Sequence, residues 1–344
     1  MWRMLCLGLA LIGTIPGLAA EDVWQGVERV VAVGDVHGDL EHLVKVLRFA
    51  GLIDEEMNWS GGKTHLVQTG DVLDRGPAVR GCLDLLMKLE TQAPKQGGRV
   101  HCLLGNHEGM NLYGDLRYVS GATLEGFRGP KSKPNGNHPA GYSEYRRDLG
   151  PDGKYGRWIR SHNTIIRIDG TVFLHGGISP KYAVWSIRKI NEQVRDELAD
   201  LSRLPGGTVQ DPDGPVWYRG LATGDELLLA SHVITTLHVL KADRMVVSHT
   251  FTDGAVTPRF DGKVLLIDIG LSRIYDEYIR LACLVIENGK PYALHNGSRL
   301  DLPADGSAQA LLRYLKAASA LDPPPSSLTR RIATLEASIA LKPK

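Results

Sequence analysis

Six short apolar runs in this chain each stop at glycine or at a side chain able to bind a cation. Arg29 to Val33 runs into Gly34-Asp35, His65 to Gln68 into Gly70-Asp71, and Val100 to Leu104 into Gly105-Asn106. Thr171 to Leu174 runs into His175-Gly176-Gly177, Met245 to Val247 into Ser248-His249, and Val264 to Ile267 into Asp268. Apolar runs this short, bounded by turn formers, read as buried strands. Helical spacing fills the first two gaps. Asp39 is an N-cap candidate before Leu40, Leu43, Val44 and Leu47, and Pro77 precedes Val79, Cys82, Leu83, Leu86 and Leu89 on one face. Strands alternating with helices predict an α/β sheet with functional residues at the C-terminal strand ends.

The remaining chain adds an insertion and a tail. Residues 113–160 are rich in Gly, Lys, Arg and Asn and read as a loop-and-helix insertion near the site. Residues 186–202 and 224–241 read as helical, as does Ala308 to Ala320 in the tail, before a break at Pro323-Pro324-Pro325 and a weakly amphipathic end. The expected organisation is a catalytic domain over 25–300 and a helical tail over 301–344. At 344 residues, with 43% apolar and 23% charged, the chain suits one α/β domain with a sizeable core.

Lys plus Arg is 40 against 39 acidic residues, so no global field draws nucleic acid or an anionic membrane, and phosphate affinity must be local. In residues 1–20, Arg3 is the only charge, Leu5 to Ile15 is apolar, and Leu18-Ala19-Ala20 follows Pro16-Gly17. This describes a secretory signal, too short to span a bilayer, and implies a periplasmic or secreted product unless the segment stays uncleaved as a tether. Cys82, Cys102 and Cys283 beyond it have apolar neighbours and read as buried thiols, not a disulfide framework.

Two divalent ions held about 3.5–4 Å apart need carboxylate, imidazole and amide ligands on rigid supports, and strand ends supply them. Asp35 and His37 leave the first strand on one turn, Asp71 and Asp74 end the second, Asn106 and His107 the third, His175 the fourth and His249 the fifth. These segments, in this order, resemble the metallophosphoesterase signature in its phosphoprotein-phosphatase form. Gly70-Asp71-Val72-Leu73-Asp74-Arg75-Gly76 is the distinguishing marker. Asn111, Gly114-Asp115, Arg117-Tyr118-Val119, Pro215 to Arg219 and Ile267 to Ser272 resemble the Shewanella-like phosphatases of bacteria and plants most closely.

The resemblance implies a calcineurin-like α/β sandwich of two β-sheets flanked by helices. It implies that Asp35 and His37 bind one metal, Asp71 bridges both, and Asn106, His175 and His249 bind the second. It further implies a metal-bridging hydroxide attacking phosphorus in line, His107 as acid toward the leaving alkoxide, and Asp74 orienting that imidazole. Arg75 and Arg219, with Asn106, would hold the phosphoryl oxygens. Asp74 stands where a coloured ferric variant carries Tyr, so a manganese pair is expected, with iron or zinc as alternatives. The expected substrate is phosphoserine or phosphothreonine on proteins, with phosphotyrosine next. The rival readings are dinucleoside polyphosphate hydrolysis, broad phosphomonoester hydrolysis, and an inactive metal-bound binding module. Oligomeric state is not legible.

Other polar residues have plainer readings. His42, His65, His101, His138, His162, His232, His238 and His295 match no motif and read as surface or core histidines. Glu108 reads as structural, Arg117 as a partner of Asp115 or a substrate contact, and Tyr275 as packed or lining the groove. Arg128 to Lys133 reads as a solvated loop, with a phosphopeptide contact as the sharper reading. Cleavage should leave a mature chain starting at or near Glu21, read by intact mass of protein recovered from the cell envelope or medium. An intact Met1 start there would contradict the export reading.

Overall fold

A computed structural model describes residues 21–303 and 305–341, so the proposed signal segment lies outside the described residues. The strands are β1 (Val23–Trp24), β2 (Arg29–Val33), β3 (His65–Gln68), β4 (Arg99–Cys102), β5 (Ile165–Ile168), β6 (Thr171–Leu174), β7 (Arg244–Val247), β8 (Thr257–Arg259), β9 (Val264–Leu266), β10 (Ala282–Glu287), β11 (Lys290–His295) and β12 (Ser298–Asp301). They form two six-stranded sheets, ordered β1-β5-β6-β7-β9-β8 and β12-β11-β10-β2-β3-β4. β2, β3 and β4 run parallel at one end of their sheet, as do β6, β7 and β9 in the middle of theirs, so each sheet has a parallel block whose C-terminal ends emerge together. The two blocks meet: Thr69 after β3 donates its hydroxyl to Ser248 Oγ after β7 at 3.0 Å.

Alternation along the strands separates two cores. Phe173, Val246 and Leu265 join the core shared with Val31, Leu66 and Leu284 of the other sheet. Their neighbours Val172, Leu174, Met245, Val247, Val264 and Leu266 join a second cluster with Val233, Leu237 and Leu240. The helices are α1 (Leu40–Phe49), α2 (Val79–Gln92), α3 (Asn106–Tyr113), α4 (Gly121–Phe127), α5 (Tyr142–Asp148), α6 (Lys154–Arg160), α7 (Ile187–Ala199), α8 (Gly220–Thr223), α9 (Glu226–Leu240), α10 (Ala308–Ser319) and α11 (Thr329–Ala340). Asp39 caps α1 by accepting His42 N at 3.1 Å, as the spacing predicts. The insertion forms α4, α5 and α6, with Phe127, Tyr145 and Tyr155 packed edge to face.

The structure adds three details to the sequence reading. Of the residues at helical intervals on α1, Leu43 and Leu47 are buried, with His42 and Val46, while Leu40 and Val44 are half-buried, packed against the core beside a surface groove. The β10–β11–β12 meander was not predicted, although Asn288-Gly289 and Asn296-Gly297, all with positive φ, are strong tight-hairpin signals. The tail is also tied to the core: Tyr314, Leu315, Ala318 and Leu328 are buried within the larger hydrophobic cluster. Leu315→Ala should therefore lower unfolding stability by about 2–5 kcal/mol, the range for a buried leucine truncation. Denaturant titration checks this, and a change under 1 kcal/mol would mean that α10 is not part of the core.

Candidate metal centre

Asp71 organises the site because its two carboxylate oxygens do different work. Oδ1 accepts the backbone N–H of His107 at 3.0 Å. Oδ2 is left facing the imidazoles, 3.7 Å from His37 Nε2, 3.2 Å from His175 Nε2 and 3.8 Å from His107 Nε2. Among the described residues, ligand atoms of His37, Asp71 and His107 lie within 4.8 Å of one another, and so do those of Asp71, His175 and His249. Asp71 belongs to both groups. Asn106 Oδ1 joins the second at 3.0 Å from His175 Nε2, which is 3.1 Å from His249 Nδ1. Asp35 flanks the first group, with Oδ2 3.9 Å from His37 Nε2 and Oδ1 accepting His249 N at 3.2 Å. The six expected ligand residues thus come together, while His107 stands closer to His37 and Asp71 than the sequence alone implies.

Backbone strain and hydrogen bonds hold this geometry. His37, Asp71, Asp74, Arg75 and His249 all have φ between 42° and 69°, a region costly for residues with a Cβ and typical of functional sites. Glu108, fully buried, accepts the N–H groups of Asp71, Val72 and Leu73 and of Gly105. A Cβ on Gly105 would overlap the Asp71 carboxylate, so only glycine fits that strand end. His37 Nδ1 donates to Leu73 O at 2.8 Å and His175 Nδ1 to Thr69 O at 3.0 Å, which turns both Nε2 atoms toward Asp71.

The charges fit cations. Burial pushes His37 down to about 3 and, with His175 and Arg219 adding, His249 down to about 2, giving the neutral imidazoles that metals bind. Burial opposes charge on His175, yet Asp71 and Asp35 raise it to about 9. Burial and the neighbouring Asp268 push the Asp35 carboxyl well up, and burial raises Asp268 too. Carboxylates this crowded hold protons unless a cation replaces them. Two carboxylates, three imidazoles and an amide oxygen, with no thiol, make a donor set for hard or borderline divalent ions.

Beside the cluster lies a histidine–carboxylate pair. His107 Nδ1 is 2.5 Å from Asp74 Oδ2, and Asp74 Oδ1 accepts Asn111 Nδ2 at 2.9 Å. Asn111 Oδ1 in turn accepts the Tyr145 hydroxyl at 2.6 Å, so helix α5 of the insertion buttresses the pair. Burial lowers the His107 pKa, but Asp71 and Asp74 outweigh it and raise the ring above its ordinary value. Arg75 Nη2 stands 3.5 Å from His107 Nε2, and its Nε is buried with no hydrogen-bond partner among the described residues. The guanidinium lies between the rings of Tyr118 and Tyr275, at 5.2 and 5.4 Å. Arg219 reaches the edge of the cluster, donating to His249 O at 2.5 Å.

Arg117 is held by Asp115, while its neighbour Tyr118 faces His107 at 5.0 Å. Tyr275 lines the mouth, its ring 5.9 Å from His37. Sequence reasoning assigned no role to Asp268, Asn111 or Tyr145. Asp268 had a signal, because it ends an apolar run as the ligand residues do.

Residues 28–252 match the Calcineurin-like phosphoesterase family. The chain is 32% identical over 283 residues to Shewanella-like protein phosphatase 2 of Arabidopsis thaliana, covering 72% of each. It is 29% identical to Shewanella-like protein phosphatase 1 of Plasmodium berghei, over 78% of this chain and 76% of that one. Among solved structures, the cold-active protein-tyrosine phosphatase of a psychrophilic Shewanella species aligns with a TM-score of 0.69 at 33% identity, covering 81% of each chain.

Asp71→Asn should strip more metal than Glu108→Ala, because only Asp71 presents an oxygen to both groups. Elemental analysis after dialysis and gel filtration reads the difference, and equal losses would contradict this geometry.

Proposed function

Because this chain belongs to the calcineurin-like phosphoesterase family of metal-dependent phosphoester hydrolases, we propose that it hydrolyses phosphomonoesters on protein side chains at a two-cation centre. The observation that carries the reading is the His107–Asp74 pair standing beside the shared Asp71 oxygen, with Arg75 within 3.5 Å of the same imidazole. Asp35, His37 and Asp71 would hold one cation, and Asp71, Asn106, His175 and His249 the other. When bound, such a pair of ions supplies Lewis acidity and makes water nucleophilic near neutral pH. Manganese suits the carboxylate, imidazole and amide donors.

The chain's own residues do the rest. Arg75, with free buried donor capacity, and Arg219 at the opposite edge orient the phosphoryl oxygens, which a guanidinium matches two at a time. Asn106 adds an amide beside them. Asp74 accepts the Nδ1 proton of His107 and keeps the ring charged, so Nε2 carries the proton given to the leaving oxygen. The Tyr145–Asn111–Asp74 chain fixes that carboxylate in place.

Phosphoserine and phosphothreonine stand first in the sequence reading, but the rim favours an aryl ester. Tyr118 and Tyr275, both partly exposed, flank Arg75, and Phe251 stacks beside Tyr275 at 6.1 Å. A tyrosyl ring entering this mouth meets aromatic faces that a seryl side chain is too short to use. The relative from Shewanella carries the name protein-tyrosine phosphatase. Export through residues 1–20 stays part of the proposal.

Assays with phosphotyrosyl, phosphoseryl and phosphothreonyl peptides beside diadenosine tetraphosphate test this reading. Turnover of the dinucleotide alone would defeat it. His107→Asn should cut kcat on a phosphoseryl peptide by about 10²–10⁴-fold, the usual worth of a positioned acid. The loss should be smaller on p-nitrophenyl phosphate, whose leaving group needs little protonation. Unchanged turnover of both would remove His107 from the chemistry.

A further inference from the structure

A groove of about 610 Å³ opens beside the metal centre and has no part in the chemistry above. Its apolar lining comes from Leu40, Val44, Met57, Pro77, Ala78 and Ile274. Ile274 is 52% exposed and Met57 37%, so the structure leaves apolar surface open to solvent here. Leu40 and Val44 lie four apart on α1 and pack against the core only in part, which leaves apolar surface on the groove side.

The groove's lining adjoins site residues along three chain segments. Gly38 follows the ligand residue His37, Pro77-Ala78 follow Arg75-Gly76, and Ile274 precedes Tyr275. Gly38 O accepts Ala78 N at 3.0 Å, which ties two of these walls together. The cations on the rim are already matched within the chain. Lys45 pairs with Glu41 at 2.7 Å, Arg48 with Glu55 at 3.3 Å, and Arg273 with Asp39 at 3.0 Å and Glu41 at 2.7 Å. The rim therefore selects little by charge, and apolar contact decides what enters.

We propose that this groove binds an apolar side chain flanking the phosphorylated residue of an extended peptide, giving the enzyme a sequence preference. The inference rests on the phosphoprotein reading above. An extended chain advances about 3.3 Å per residue, so a flank two or three positions away reaches about 7–10 Å from the phosphoryl clamp. Leucine, isoleucine, methionine and phenylalanine suit the lining.

The test uses phosphopeptides identical except for leucine or asparagine at each of the three positions on either side, with p-nitrophenyl phosphate as the flankless reference. At one position leucine should raise kcat/KM about tenfold, equal to about 1.4 kcal/mol and within what burying one leucine supplies. Ile274→Asp, and independently Met57→Asn from another part of the lining, should abolish that preference while p-nitrophenyl phosphate turnover stays within about twofold. Peptides turned over with no flank preference, or with one that both variants retain, would overturn the groove assignment and leave the phosphatase reading standing. An equal loss on p-nitrophenyl phosphate would also overturn it, because the damage would lie in the metal centre. Turnover of p-nitrophenyl phosphate with no phosphopeptide hydrolysed would sink the phosphoprotein reading, and the groove with it.

Discussion

One carboxylate oxygen, Asp71 Oδ2, is the point about which the site is arranged. It faces His37, His107 and His175 within 3.8 Å, inside a pocket that also buries Asp35, Glu108 and Asp268. Two unit charges 4 Å apart interact by about 4 kcal/mol at the effective dielectric near a protein surface, so acids this crowded cannot all stay ionised without compensation. Protonation relieves the crowding at Asp35 and His175, and divalent cations would relieve it more completely. The pocket is thus built against its own stability as a bare protein and in favour of bound metal.

Holding it open has a backbone cost. Five residues of the site sit at left-handed φ, a conformation costing on the order of 1–2 kcal/mol for residues with a Cβ. Glu108 supplies part of the restraint: its carboxylate accepts four backbone N–H groups from the Asp71 turn and Gly105. Hydrogen bonds to a charged group contribute about 1.5–3 kcal/mol each, enough to hold such turns. The two parallel strand blocks then place those turns on one side. The insertion reaches the same point through Tyr145 and Asn111, so a segment without strand periodicity still bears on the His107–Asp74 pair.

How much of this the sequence discloses follows from locality. The expected ligand residues are legible because each lies within four residues of an apolar run, and a parallel sheet converts that adjacency into convergence. The strain at His37 and Asp71 is only weakly legible, since Asp and His are enriched at left-handed φ but mostly adopt other conformations. The meander from Ala282 to Asp301 was readable, because its two Asn-Gly turns separate strand-length runs. Asp268 was readable on the same grounds as the ligands. The Tyr145–Asn111–Asp74 chain spans 37 positions from Asp74 to Asn111 and 34 more to Tyr145, and no local pattern encodes it. At Leu40 and Val44 the helical spacing holds, and both side chains lie between the core and the groove.

The account stands on two cations sharing Asp71. Anomalous diffraction from crystals grown with manganese, recorded on both sides of its absorption edge, measures that directly. Two peaks about 3.5–4 Å apart, both within bonding distance of Asp71 Oδ2, are the predicted result. A single peak, or a pair lying away from Asp71, would contradict it.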